Sequence, residues 1–402
     1  MKRFIAKLAV LSMLVPAAWA STEKVVWNFR GGNDGSGPWS NYFIADTKGN
    51  LYGATGSGGT YASGVVFMLT PAGKETVLYE FKGQASGDGA SPHGRLAFDA
   101  NGNIYGTTQG GGTNGTGTVY ELTAKKGGGW TEKVLYTFSA TGADGSNPSA
   151  GMVIAKDGTM YSTTANGGAS GAGAIFSLKK TSKGWKETVI HSLSFPADGG
   201  FPYDGLMMDA AGNLYGVAPA GGTIGQGVVY RLSQTKKGWV DTILYNFTNQ
   251  NGDGGGLYWI DLITDSLGNI YGATSFGGTN GTGTVWELVY SKTKKTYSEK
   301  VLYEFGTAGG GDGNKPYGGL VMGSNGTLYG TALNGGSNNI GTVYKLAKQG
   351  KIWKETTLHN FVGGADGGQP TGNLYMDAKG RLYGMAETGG KSNLGVAYRV
   401  TP

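Results

Sequence analysis

Tyr105 sits in the stretch Asp88–Leu122, DGASPHGRLAFDANGNIYGTTQGGGTNGTGTVYEL, and has counterparts in Tyr52, Tyr161, Tyr215, Tyr271, Tyr329 and Tyr383. The steps between these tyrosines are 53, 56, 54, 56, 58 and 54 residues. Self-similarity at a fixed period marks a repeat architecture, in which each copy buries its apolar face against its neighbours. Seven copies occupy most of the 402 residues and override the expectation of two or three unrelated domains. The chain holds 78 glycines, which suit turns with positive φ and close approaches better than strand interiors. Aromatic residues make up 11%, and disordered chains are poor in them.

Each copy reads as four short strands. In Asp88–Phe138 they are Arg95–Asp99, Ile104–Thr108, Thr118–Leu122 and Lys133–Phe138. Asn101-Gly102 joins the first two, a tight hairpin signal. A Gly-Gly loop such as Gly111-Gly112 joins strands two and three, and lysine-rich segments such as Lys125-Lys126 join three and four. Strands apolar on both faces, as at Val119-Tyr120 and Leu135-Tyr136, suit a sheet packed between two others. Gly106 interrupts the second strand, and Gly53, Gly216, Gly272, Gly330 and Gly384 match it; only Ser162 departs. Such a glycine marks close approach of another group, expected here to be an aromatic ring of the next blade.

The two ends of the repeat array complement one another. Glu23–Phe29, EKVVWNF, matches the fourth strand Glu132–Phe138, EKVLYTF, while the last copy ends at its third strand, Ala397–Val400. The expected fold is therefore all-β, a seven-bladed β-propeller of four-stranded blades filling 21–402 as one domain. Its ring is closed by the N-terminal strand joining the C-terminal blade. A stacked solenoid, the alternative, would leave the split repeat without a reason.

MKRFIAKLAVLSMLVPAAWA at 1–20 has a basic start, an apolar run and Ala18-Trp19-Ala20, and reads as a secretory signal peptide cleaved after Ala20. Its removal takes away Lys2, Arg3 and Lys7, so the formal +6 falls to +3, and nucleic-acid binding gains no support. The expected location is secreted or periplasmic, with no membrane span and with a monomer as the expected state. Without cysteine, the exported chain must be held by packing alone.

The run L-Y-G-T-T-x-x-G-G-x-x-x-x-G-T-V-Y-E-L, followed by a strand and D-G-x-x-P, is similar to the GloVer tandem repeat of exported bacterial proteins. Ile104–Leu122 and Ile270–Leu288 carry it most fully, and the repeats span 24–401. The resemblance implies export and fold but no reaction. Many members carry a C-terminal anchor, and none is read after Val400.

The repeat itself serves as a control for function, since a residue present in every copy is scaffold. Asp34, Asp88, Asp144, Asp198, Asp253, Asp312 and Asp366 all open D-G-x-x-P loops, where a carboxylate fixes a turn. A calcium site is the alternative, although each loop offers a single carboxylate. His191 and His359 replace a fourth-strand aromatic, as in Tyr79, Tyr136, Tyr245, Tyr303 and Trp27, and read as packing residues. No metal-ligand spacing, nucleophile elbow or phosphate cradle is present, so neither metal nor cofactor is expected. The lysine-rich connections form a face opposite the D-G-x-x-P loops, either simply solvated or attracted to an acidic polymer.

The loop after D-G-x-x-P varies instead. After the proline position stand Trp39, His93, Ser149, Tyr203, Trp259, Tyr317 and Thr371; before the first core residue of the inner strand stand Tyr42, Arg95, Gly151, Gly205, Asp261, Gly319 and Asn373. Gln109, Phe276, Asn334 and Glu387 belong to the Gly-Gly loops expected on the same face. The expectation is an exposed ring around an axial opening that binds an extracellular polymer, most naturally polysaccharide. Aromatic faces would stack on sugars, and Arg95, Asp204 and Asp261 would orient polar groups. One alternative is that the aromatics only plug the channel. A lyase would need a base (His93 or Tyr42) beside Arg95, and a hydrolase two carboxylates among Asp204, Asp261 and Glu387. A structural surface protein without ligand is the third reading.

Overall fold

The computed structural model describes residues 21–38, 42–139, 141–306 and 311–402. The signal-peptide reading and Trp39 fall outside these residues. Every described copy folds as an antiparallel meander, and seven such sheets form a ring. Blade two contains Gly89–Phe98, Ile104–Gly111, Thr118–Ala124 and Trp130–Thr137. Its first strand begins earlier than expected because Gly89–Pro92 already pairs with Thr108–Gly111.

The ring closes through the N-terminus. Thr22–Asn28 pairs antiparallel with Val396–Thr401, Thr22 opposite Thr401 and Asn28 opposite Val396. Phe29, which follows that strand, meets Phe67 of blade one edge-on at 5.3 Å. The same contact recurs as Phe81–Tyr120 at 4.9 Å, Phe138–Phe176 at 5.1 Å and Phe361–Tyr398 at 5.0 Å. Each outer strand thus seals its blade to the third strand of the next.

The D-G-x-x-P loop is a second seal. The residue before proline takes a left-handed backbone, as at Ser91 (φ 54°), Asn147 (φ 54°) and Gln369 (φ 55°). That turn aims its N–H at the preceding blade: Ser91 to Ser63 O at 2.8 Å, Asn147 to Thr116 O at 2.9 Å, Gln369 to Ile340 O at 2.7 Å. The proline ring then covers a glycine of that blade. A Cβ on Gly64 would lie 2.5 Å from Pro92 Cδ, and one on Gly117 2.5 Å from Pro148 Cδ.

The strand glycine makes room for a ring of its own blade, not of the next as expected. Gly106 lies opposite Tyr120 and Gly272 opposite Trp286 on the adjacent strand. A Cβ on either would collide with that ring. Ser162 faces Phe176, which lacks the hydroxyl and so leaves space for a small side chain.

Every outer strand carries one extra residue opposite its neighbour, as between Val119 and Tyr120, where Leu135 is unpaired. Four residues apart on an even strand, Glu132 and Tyr136 would share a face, but a bulge re-aims the side chains beyond it. Tyr136 bonds Asp144 in the groove toward blade three, whereas Glu132 is within electrostatic reach of Asp88 in the groove toward blade one. Asp88 accepts from Tyr79 Oη at 2.8 Å, the Lys82 N–H at 2.7 Å and the Gly89 N–H at 2.6 Å. His191 and His359 occupy the tyrosine position, with Nε2 2.9 Å from Asp198 and 3.2 Å from Asp366.

A second carboxyl recurs in these grooves; its position repeats along the chain, but its pairing with a loop aspartate is set by how the blades pack. Burial first, and the neighbouring loop aspartate second, push Glu23, Glu75, Glu132, Glu187 and Glu299 up to about 7. Glu355 is also pushed to about 7, by burial and Asp312 against a bond from Thr357. These acids are therefore about half protonated near neutrality, where a free carboxyl would be ionised.

Candidate functional site

The inner strands alternate, so every second side chain points at the axis. Ile44, Val153, Met207, Ile263, Val321 and Tyr375 wall a central cavity of about 760 Å³ whose floor includes Tyr42, Arg95, Asp261 and Asn373. Its lining continues to Lys156, Asp209 and Ala210, residues of the turns between first and second strands. Antiparallel alternation puts those turns on the lysine-rich face. Lys179 of a third strand reaches Asp157 of such a turn at 3.1 Å, which confirms that the two sets of connections lie together.

The floor is a bonded layer. Tyr42 Oη donates to Asp261 Oδ2 at 2.6 Å, and the Gly205 N–H donates to Oδ1 at 3.2 Å. Arg95 Nη1 lies 3.9 Å from Oδ2. Burial, then Asp261, raises the Tyr42 phenol well above its usual range. The small residues of this layer have a packing reason: a Cβ on Gly151 would come within 2.8 Å of Arg95, and one on Gly205 within 2.7 Å of Asp261. Bulky and small members thus complement one another between adjacent blades.

Toward the D-G-x-x-P face, where an opening is expected, the described residues leave little space along the axis. Tyr203, Trp259, Ser149, Thr371 and the floor residues leave a void of only about 10 Å³. His93 and Asp204, expected to be exposed, are 6% and 3% exposed. Loss of hydration lowers the His93 pKa to about 4. Burial, with Asp261 adding to it, raises Asp204 well above the carboxylate range. Neither Asp204 oxygen has a hydrogen-bond partner of ordinary geometry, which fits a neutral acid.

Outside this plug the aromatic residues join in one patch. Trp259 lies over His93 at 6.4 Å, tilts against Tyr203 at 5.2 Å and donates from Nε1 to Tyr317 Oη at 2.8 Å. Tyr317 stacks on Tyr258 at 6.4 Å, and Tyr258 meets Phe276 edge-on at 6.2 Å. Lys315 Nζ sits 5.6 Å over Phe276, which is 38% exposed. Tyr203, Tyr258, Trp259 and Tyr317 are half-buried, unlike the fully buried scaffold rings. Trp259 has φ 59°, a costly backbone for a bulky residue. In the sequence Tyr258 marks only a pattern break in copy five; its place in the patch depends on that loop's course. Glu387 is half-buried in blade seven, and burial raises its pKa.

Residues 14–210, 127–311 and 205–402 each match the Gloeobacter/Verrucomicrobia repeat. The chain belongs to that repeat family. The GloVer resemblance of Ile104–Leu122 is thereby extended over the whole ring. No curated protein matches the chain. Among solved structures, an ancestral GH74 enzyme is similar with a TM-score of 0.62 at 11% identity, over 95% of this chain and 51% of that one. The extracellular domain of a protein described as a hybrid two-component system, from B. thetaiotaomicron, has a TM-score of 0.56 at 10% identity, over 92% of this chain and 39% of that one. This Gloeobacter/Verrucomicrobia repeat chain thus spans about half or less of either neighbour, and the likeness is one of fold. Among the described residues no helix is long and apolar enough to cross a membrane.

Proposed function

We propose that this protein is an exported, non-catalytic binding module for an extracellular polysaccharide, engaged on the D-G-x-x-P face. The observation that carries this reading is the chain of ring contacts Tyr203–Trp259–Tyr317–Tyr258–Phe276, left partly open to solvent. Sugar rings have apolar faces and polar edges, so partly exposed aromatic rings offer stacking while hydroxyl and amine groups reach the edges. Left-handed backbone at Trp259 supports the same view, since such strain clusters where a side chain must be held in place. Residues 1–20 would direct export. Asp204 and His93, two of the candidates for acid–base chemistry, are buried rather than at a surface, which favours binding over bond cleavage.

The test is retention on a panel of neutral and acidic polysaccharides, with products followed by ultraviolet absorbance and reducing-end assay. Trp259→Ala and Tyr258→Ala should each weaken binding by roughly 2- to 12-fold, the equivalent of a lost aromatic contact. Unchanged binding in both variants would remove the patch from the site. Product formation would replace the binding module with an enzyme.

A further inference from the structure

His191, Asp198 and Asp241 meet in the groove between blades three and four. One ligating atom from each lies within 4.8 Å of the others, the one such three-residue group among the described residues. His191 belongs to the outer strand Gly184–Ser192, Asp198 to the loop that follows, and Asp241 to the outer strand Gly238–Asn246 of the next blade. We propose that this groove binds a divalent transition-metal ion, Zn2+ in the first instance, through one imidazole nitrogen and two carboxylates, and so clamps the two blades together.

The internal repeat supplies the control. Four of the other grooves hold a tyrosine and a glutamate at the corresponding positions, as Tyr79 and Glu132 flank Asp88, and a fifth has Trp27 with Glu75. Here both positions change at once, to His191 and Asp241. A histidine alone does not produce the cluster. His359 lies 3.2 Å from Asp366, yet the third acid of that groove is Glu23, and no comparable group forms among the described residues. The double change replaces a phenol, a poor ligand at neutral pH, with an imidazole. One nitrogen and two oxygens are a set that zinc and its neighbours accept.

The geometry is compatible with a shared ion. His191 Nε2 and Asp198 Oδ2 are 2.9 Å apart as a hydrogen-bonded pair, and opening by about 0.5 Å would bring them to the roughly 3.4 Å of two tetrahedral ligands each about 2.1 Å from one ion. Asp198 Oδ1 is occupied by the Ser194 N–H at 2.6 Å, which fixes the carboxylate while Oδ2 faces the histidine. Asp241 Oδ1 is buried without a hydrogen-bond partner. Burial lifts this carboxyl above its usual range, His191 draws it down and Asp198 lifts it again. An ion would satisfy that oxygen. The side chains of His191 and Asp198 remain 22% and 16% exposed, which leaves a way in from solvent.

The chain has three histidines, one of them buried at position 93, so stray imidazole binding is limited. The experiment titrates tag-free, chelator-stripped mature protein with ZnCl2 by calorimetry and follows melting with and without the ion. One site per chain and a rise in melting temperature are expected. His191→Tyr installs the residue found in four other blades and keeps a partner for Asp198. It should fold normally and bind Zn2+ at least 100-fold more weakly. Asp241→Asn should lose a comparable share, and His359→Tyr should bind as the parent does. Absence of saturable binding, or equal binding by parent and His191→Tyr, would overturn the site.

Discussion

Tyr42 Oη and Asp261 Oδ2 lie 2.6 Å apart, tying blade one to blade five across the axis. Arg95 and the Gly205 N–H share the same carboxylate. Tyr42→Phe removes one donor from a partly enclosed charge and should destabilise the fold by about 1–3 kcal/mol. Urea unfolding checks this; the midpoint should fall with the slope unchanged, since the surface exposed on unfolding is the same. A loss below about 0.5 kcal/mol would mean that Arg95 and solvent satisfy Asp261 unaided.

The groove acids predict a dependence on pH. Glu23, Glu75, Glu132, Glu187, Glu299 and Glu355 have folded values near 7, above their reference of 4.5. A raised folded pKa favours the protonated native state, so the stabilisation is complete below the unfolded value and is lost as pH rises through 7. His93, lowered to about 4, acts oppositely and loses its contribution as pH falls through the histidine range. Turn aspartates such as Asp46 and Asp99, lowered by their hydrogen bonds against burial, lose theirs only in acid. Melting temperature should therefore be higher near pH 5.5 than near pH 8.5. Glu132→Gln should flatten part of that slope, and a flat profile in the parent would show that the carboxyls are solvated.

Ring closure can be tested by deletion. Removing Thr22–Asn28 leaves Val396–Thr401 as an open edge and takes Phe29 from its place against Phe67. A large drop in melting temperature and a tendency to associate through the bare edge are expected. A truncated protein that melts with the parent would contradict a closed ring.

Gly106 and Tyr120 offer a double-mutant cycle. Gly106→Ser forces a side chain into the tyrosine ring and should cost about 1–3 kcal/mol. Tyr120→Phe should cost little, because its buried hydroxyl has no hydrogen-bond partner. Together the two changes recreate the Ser162–Phe176 pair of blade three and should recover much of the loss. Simple additivity by chemical denaturation would show that the hydroxyl is not what excludes the serine.

The tyrosine spacing determined the number of blades, and the EKVVWNF segment determined how the ring closes, because both are properties of chain order. The residues of the variable loop were also legible, since a departure from a repeat needs no coordinates. Which of them face solvent was not. His93 and Trp259 are equivalent by position, yet His93 is buried while Trp259, held on a left-handed backbone, stacks over it partly open to solvent. Gly151 and Gly205 read as variation and turned out to be clearance for Arg95 and Asp261 of the adjacent blades. The strand glycines were legible as clearance, but the ring they admit belongs to the same sheet, a matter of strand register. The bulge at Leu135 sends Tyr136 and Glu132 into different grooves, so the paired carboxyls and the His191–Asp198–Asp241 cluster could not be found by spacing along the chain. Sequence determined the units and their order. Register, loop course and contacts between blades decided what those units bring together, because they depend on how each sheet packs against its neighbours.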